Sequence, residues 1–241
     1  MIRITEGVYF IPGQDELIPD SYVYVVGKQS SQDLSLIDAG LIGKGSYKIQ
    51  SILKMGIKLA AIKRIIMTHT HFDHIGCLSE IHKQIPWAEL WVHALEAEPL
   101  EEGDERTVYG MKMFQEMCQM QYGLPPGAFR FKVNRKLQGG EKLNMGSMIW
   151  EVIHIPGHSM GSIGLYHESQ KILIPGDVVY ADYAIGRFDL HGADASELKK
   201  SLMRLSERDV DILLPGHNRI VEKIPAGYIL KTARQWEPYL V

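Results

Sequence analysis

Thr68-His69-Thr70-His71-Phe72-Asp73-His74 decides how this chain is read. Four metal-ligating side chains, His69, His71, Asp73 and His74, fall within six residues. Histidine and aspartate are poor core residues and poor helix formers, so folding alone gains little from stacking them here. A two-metal site gains a great deal. In an extended segment alternate side chains share a side, so His69 and His71 can reach one ion together. Asp73 and His74 then face a second.

Three more ligand types stand at matching places downstream. His158 follows the apolar run Met148 to Ile155 through Pro156-Gly157. Asp177 follows Lys171 to Ile174 through Pro175-Gly176, and His217 follows Val210 to Leu214 through Pro215-Gly216. Each repeats one grammar: apolar strand, Pro-Gly turn, single ligand at the strand's C-terminal edge, where α/β folds build their sites. The glycines let the backbone turn sharply and approach a ligand closely.

This set of motifs, from Asp38 to His217, resembles the metallo-β-lactamase superfamily. The resemblance implies that His69, His71 and His158 hold one metal. Asp73, His74 and His217 would hold the other, with Asp177 bridging them. It implies a structural role for Asp38, the aspartate that ends the strand Leu34 to Ile37. It also implies an α/β fold, a four-layer αβ/βα sandwich with the metal site at the edge of two sheets. Two divalent ions are expected, zinc first, with iron or manganese as alternatives, since imidazole and carboxylate suit all three.

The coarse pattern agrees with such layers. Ile2 to Thr5, Val8 to Ile11, Tyr22 to Gly27 and Leu34 to Ile37 read as strands. Gly45 to Met55 reads as a helix, Arg64 to Met67 as a buried strand, Phe72 to Ile85 as the next helix and Leu90 to Val92 as a strand. Strands follow at Met148 to Ile155, Ile163 to His167 and Lys171 to Ile174. Ala195 to Glu207 and Ala226 to Trp236 read as helices flanking the strand Val210 to Leu214. Residues 1–241 fit one domain, with a helical insertion at about 93–135. Within it Met111, Met113, Phe114, Met117, Cys118 and Met120 form an apolar helix before Gly123. Methionines suit adaptable apolar contacts, so this helix is a candidate lid over the metal cleft or a homodimer contact, against the simpler reading of packing on its own domain.

Composition sets the outer bounds. The chain has 241 residues, 45% of them hydrophobic, and a net charge of −3, with no basic tract. Nucleic acid is therefore not an expected partner. No apolar run is long enough to span a membrane, and the first residues do not form a secretory signal. The two cysteines, Cys77 and Cys118, make no disulfide framework, which points to the cytoplasm. His154 reads as a buried hydrogen-bonded residue, while His82, His93, His167 and His191 read as surface or loop residues.

The expected activity follows from metal chemistry. A dinuclear hydrolase would cleave a thioester, ester or lactone of a small acyl substrate by attack of a metal-bridging hydroxide. Asp73 would orient that hydroxide or carry its proton. Tyr180, three residues past Asp177, resembles the tyrosine of acyl-homoserine lactonases and would donate to the developing oxyanion. Tyr183 is a weaker candidate for that role. The run Gly186-Arg187-Phe188-Asp189 resembles a segment of glyoxalase II-like hydrolases and persulfide dioxygenases, and Arg187 with Asp189 reads as a structural ion pair. Only Asn218 to Val241 follows His217, short of the helical extension of glyoxalase II enzymes. The aspartate at 177 argues against a β-lactam substrate. Two other readings stand beside the hydrolase: a mononuclear iron persulfide dioxygenase using His69, His158 and Asp177, and a non-catalytic metal-binding domain.

Overall fold

The computed structural model describes residues 1–15 and 17–241. Seven strands form the first sheet: β1 (Ile2–Thr5), β2 (Val8–Ile11), β3 (Val23–Val26), β4 (Leu34–Ile37), β5 (Ile62–Ile66), β6 (Glu89–His93) and β7 (Arg135–Leu137), in chain order across the sheet. The first four pair antiparallel, through a tight turn between β1 and β2 and longer loops between the others. From β4 onward the pairing is parallel, and helices make the crossovers. These are α1 (Gly45–Lys54), α2 (Phe72–Ile75), α3 (Leu78–Gln84), α4 (Ala94–Glu102), α5 (Arg106–Tyr109) and α6 (Lys112–Tyr122). The second sheet has the order β12-β11-β10-β9-β8, from β8 (Lys142–Met145), β9 (Met148–His154), β10 (Ile163–His167), β11 (Ile172–Ile174) and β12 (Ile212–Leu213). Two helices accompany it, α7 (Ala195–Ser206) and α8 (Tyr228–Trp236).

Alternation along the strands stacks the layers. In β2, Val8 and Phe10 face the second sheet, while Tyr9 and Ile11 face the helices. In β3, Tyr24 and Val26 take the inner side and Val23 and Val25 the outer. Trp150 and Val152 answer from β9, and Trp150 is fully buried between the sheets. A second apolar cluster joins the first sheet to α1, α3 and α6 through Ile49, Ile52, Ile81 and Cys118. A third joins the second sheet to α7 and α8 through Leu198, Leu202 and Ile229. The result is the four-layer αβ/βα sandwich.

Four details differ from the sequence reading. The helix expected over Phe72 to Ile85 is two helices, α2 and α3. Gly76 sits at the break because a Cβ there would lie 2.5 Å from the backbone nitrogen of Ile42. Cys77 donates its backbone N–H to Gly40 O across that contact, at 2.8 Å. The last strand shrinks to Ile212–Leu213, and β7 and β8 are additional strands. His93 and His167 are buried rather than on the surface. His93 stacks on His154 at 4.0 Å between ring centroids and caps α4 by accepting from Leu95 N. On α6, Met113 and Met120 point to solvent, while Phe114 and Met117 pack inward.

Candidate metal centre

Strand direction gathers the candidate ligands. β4, β5 and β6 run parallel, so Asp38 and the 69–74 loop leave the first sheet at one edge. In the second sheet β9, β11 and β12 share a direction, because β10 between β9 and β11 runs antiparallel to both. His158, Asp177 and His217 therefore leave at one edge too. The Ile163 N–H donates to Thr68 O at 2.8 Å and ties the two edges together.

There the seven predicted side chains meet as two adjoining groups. His69, His71 and His158 offer donor atoms all within 4.8 Å of one another, and so do Asp73, His74, Asp177 and His217. Asp177 sits between the groups: its Oδ2 lies 3.7 Å from His158 Nε2 and 3.5 Å from His217 Nε2. His217 Nε2 also lies 2.8 Å from Asp73 Oδ2. The Nε2 atoms of His69, His71 and His74 and Oδ1 of Asp177 are buried without a hydrogen-bond partner. His74 Nε2 and Asp177 Oδ1 lie 3.2 Å apart but are not aligned as a hydrogen bond. Buried polar atoms normally find partners. Orphaned lone pairs that converge are what a divalent cation satisfies, and the nitrogen and oxygen donors here fit one.

Three of the histidines, His69, His74 and His158, have the far nitrogen held, while His71 Nδ1 lies 2.9 Å from His158 Nε2 within the cluster. Asp38 accepts from Thr68 N at 2.7 Å, from Thr68 Oγ1 at 2.8 Å and from His74 Nδ1 at 2.9 Å. The Thr68 hydroxyl in turn lies 3.1 Å from His69 Nδ1. One carboxylate thus orients a histidine in each group. His158 Nδ1 donates to Arg187 O at 2.7 Å. Holding the far nitrogen leaves the near one free for a metal. Gly186 and Gly216 make room: a Cβ at 216 would lie 2.1 Å from Asp177 Oδ1, and one at 186 would lie 2.9 Å from His158 Nδ1.

Charge is arranged to match. Burial, with neighbouring imidazoles, holds His69 well below the ordinary histidine value and pushes His71 down to about 3. Both are neutral, as ligation requires. Burial alone would depress His74 and His217 as well, but Asp177 with Asp38 or Asp73 outweighs it and raises them. Burial would raise Asp73, but its hydrogen bond to His217 and the nearby His74 and His217 imidazoles together hold it down to about 2. Tyr180 lines the same cavity, and burial and the nearby Asp177 carboxylate hold its phenol well above 10.0. It remains a protonated donor.

Several contributors carried no signal in the sequence. Asp20 and Lys48 form a fully buried ion pair at 2.9 Å, and Asp20 also accepts from Gln14 N and Leu41 N. The pair pulls the segment before β3 over the site, where Ser21 N donates to Asp73 O and Tyr22 N to Gly216 O. Glu96 on α4 is fully buried and accepts from Ser159 Oγ and Gly161 N, bracing the turn that carries His158. Phe72, between His71 and Asp73, is packed among Tyr109, Phe114, Tyr122 and Phe129, with ring centroids 5.6–6.1 Å away. Arg187 and Asp189 form the expected ion pair, bonded at 2.9 and 2.7 Å. Tyr183 is not among the cavity residues. It stacks on Tyr228 at 4.5 Å, and Tyr228 OH donates to Tyr180 O, so α8 holds the Tyr180 loop.

Comparison with known proteins agrees with this geometry. The family model of the metallo-beta-lactamase superfamily matches residues 18–217. A probable metallo-hydrolase of Methanocaldococcus jannaschii is 31% identical over 216 residues, covering 87% of this chain and 92% of that protein. A hydroxyacylglutathione hydrolase of Haemophilus influenzae is 29% identical, covering 77% of this chain and 80% of that one. An acyl-coenzyme A thioesterase of Homo sapiens is 34% identical over 158 residues, covering 63% of this chain and 54% of the thioesterase. In fold, the chain is similar to a subclass B3 metallo-beta-lactamase of Bradyrhizobium japonicum, with a TM-score of 0.74 at 21% identity over 99% of this chain and 90% of the other. Among the described residues no helix is long and apolar enough to cross a membrane. With a family model matching residues 18–217, this chain belongs to the metallo-beta-lactamase superfamily of metal-dependent hydrolases.

Proposed function

We propose that the chain hydrolyses acyl thioesters at a two-metal centre, with esters and lactones as the related bonds the same chemistry opens. The observation that carries this reading is the convergence of seven donors, five of them buried, as two adjoining groups that share Asp177. His69, His71 and His158 would hold one ion, Asp73, His74 and His217 the other, and Asp177 would bridge them. The close approach of Asp73, His74 and His217 supports two metals over the single-iron alternative. Zinc is the metal proposed. A bound pair of divalent ions supplies water of lowered pKa at neutral pH and polarises the substrate carbonyl.

The chain's own groups position the reaction. Asp73, anchored by His217, orients the attacking water. Tyr180 donates to the oxygen on which negative charge develops. Water oxygen bonds to the acyl carbon, the carbon–sulfur bond breaks, and the sulfur leaves as a thiol carrying a proton from the water. The choice of a thioester rests on two relatives, one named for acyl-coenzyme A and one for hydroxyacylglutathione.

Elemental analysis of the purified protein, paired with a thioester panel, tests the reading. Two metals per chain with thioester cleavage are expected, and His217→Ala should lower both the stoichiometry and kcat. One metal per chain, with His217→Ala fully active, would refute the two-metal reading.

A further inference from the structure

The cavity over the ligand cluster has a volume of about 720 Å³ and two unlike walls. One is the ligand cluster with Tyr180. The other is apolar, built by Leu17 and Ile18 from the segment before β3, Val108 from α5, Phe114 and Met117 from α6, and Leu190. Arg187 is the one cation among the described residues lining the cavity, and its guanidinium is engaged by Asp189. The apolar wall therefore holds no free positive charge for a carboxylate or phosphate. It also stands next to the reacting position, because Phe72 joins α5 and α6 directly to His71 and Asp73.

We infer that the acyl half of the substrate is an uncharged apolar chain or ring, seated against α5 and α6 with Met117 and Phe114 setting its length. This rests on the hydrolase reading above and narrows it. Of the two thioester classes the relatives bring to mind, the side-chain carbon of this wall favours an apolar acyl group over a small 2-hydroxyacyl group. A carbonyl held at the ligand cluster can extend its chain only along surface that water wets poorly, so each added methylene is transferred from water to side-chain carbon. Polar groups are few on this side of the cavity, the Tyr109 hydroxyl with Asp15, Tyr22 and Asn218, so the wall rewards added apolar length more than a hydroxyl beside the carbonyl. The outward face of α6, with Met113 and Met120 exposed, lies outside the pocket and gives an internal control.

The experiment uses the metal-loaded protein and one thiol carrier, with acetyl, butyryl, hexanoyl, octanoyl, decanoyl and 2-hydroxypropanoyl thioesters. The expected kcat/KM rises about three- to fourfold per methylene until the cavity is filled, then levels. Met117→Trp should move the optimum to a shorter chain and cut decanoyl turnover at least tenfold relative to butyryl. Met113→Trp, one turn away on the solvent face, should leave the profile where it was. Calorimetric titration with octanamide and 2-hydroxypropanamide, with and without metal, reads the pocket independently of turnover. Binding of octanamide alone, weakened by Met117→Trp, is the expected result. A flat chain-length profile, or preference for the 2-hydroxypropanoyl thioester, would overturn the inference while the hydrolase reading stands. Octanamide binding without cleavage of any thioester would uphold the apolar pocket and sink the thioester reading. Failure of both would sink both.

Discussion

Asp38→Asn should empty the metal centre while leaving the fold standing. Position 38 has φ 60, in the left-handed region that asparagine tolerates as well as aspartate, so the backbone is undisturbed. The carbonyl oxygen of the new amide would keep the bond to Thr68 N. Its NH₂ replaces Oδ2 and meets two groups that now donate, Thr68 Oγ1 and His74 Nδ1. To avoid facing donor against donor, His74 must carry its proton on Nε2. The Thr68 hydroxyl must turn to accept from the amide, and its hydrogen then points at His69 Nδ1, which drives that proton to Nε2 as well. One isosteric change thus blocks a lone pair in each ligand group. Losing such an outer partner costs about 10- to 100-fold in metal affinity, or about 1.4–2.7 kcal/mol, at each position. The metal-free fold loses only the difference between charged and neutral hydrogen bonds, about 1–2 kcal/mol, a Tm shift of roughly 2–8 °C for this size. Asp38→Ala is different in kind. It strands three buried donors at about 1–3 kcal/mol each, a large part of a typical domain's stability. The assay is competition against a metallochromic chelator, together with thermal melts of chelator-stripped protein. Wild-type affinity at both positions in Asp38→Asn would refute the tautomer argument. A stripped Asp38→Asn protein that no longer melts cooperatively would show that the carboxylate serves the fold first.

Three further outcomes follow from the geometry. Tyr180→Phe should lower kcat by about 10²- to 10³-fold with KM little changed, and an unchanged kcat would remove Tyr180 from the reaction. Gly216→Ala would place its Cβ 2.1 Å from Asp177 Oδ1 and 2.7 Å from His74 Cε1, so metal stoichiometry should fall even though α7 and α8 stay helical by circular dichroism; full metal content would show that the turn yields. The metal-free protein should be most stable near pH 6.5, the ordinary histidine value. Below that, His69 and His71 resist protons that the unfolded chain accepts, so stability falls as pH drops towards about 3. Above it, His74 and His217 keep protons the unfolded chain has lost, so their contribution fades as pH rises through their raised values. Melts of stripped protein from pH 5 to 9 check this, and a monotonic trend would contradict it.

The donor cluster was readable in the sequence because its members are announced locally: four of them by their crowding within residues 69–74, and His158, Asp177 and His217 by a strand and a glycine turn. Layering was readable because the β-branched and aromatic runs of β2 and β3 and the Leu198, Leu202 and Leu205 spacing in α7 need no tertiary knowledge. What escaped depends on contacts distant in sequence. The break between α2 and α3 is imposed by the Gly40–Ile42 segment pressing on Gly76, which no local propensity records. Glu96 looks like any surface acid on a helix until Ser159 and Gly161, more than 60 residues on, supply its donors. Met113 and Met117 are one residue type on one helix, and only the neighbours of α6 decide which meets the cavity. His93 likewise takes its burial from His154, 61 positions away.

Phe72 gives the molecule an evolutionary constraint. Its ring is the hub of the aromatic cluster under α5 and α6, and its backbone is the link between His71 and Asp73. A mutation that reshapes the apolar wall to admit a new substrate pushes on this ring and so on the spacing of two proposed ligands. Specificity and cofactor retention are therefore inherited together. Descendants that diversify their substrates should change Leu17 or Ile18, on the segment before β3, before they touch Tyr109 or Phe114, whose rings pack on the hub.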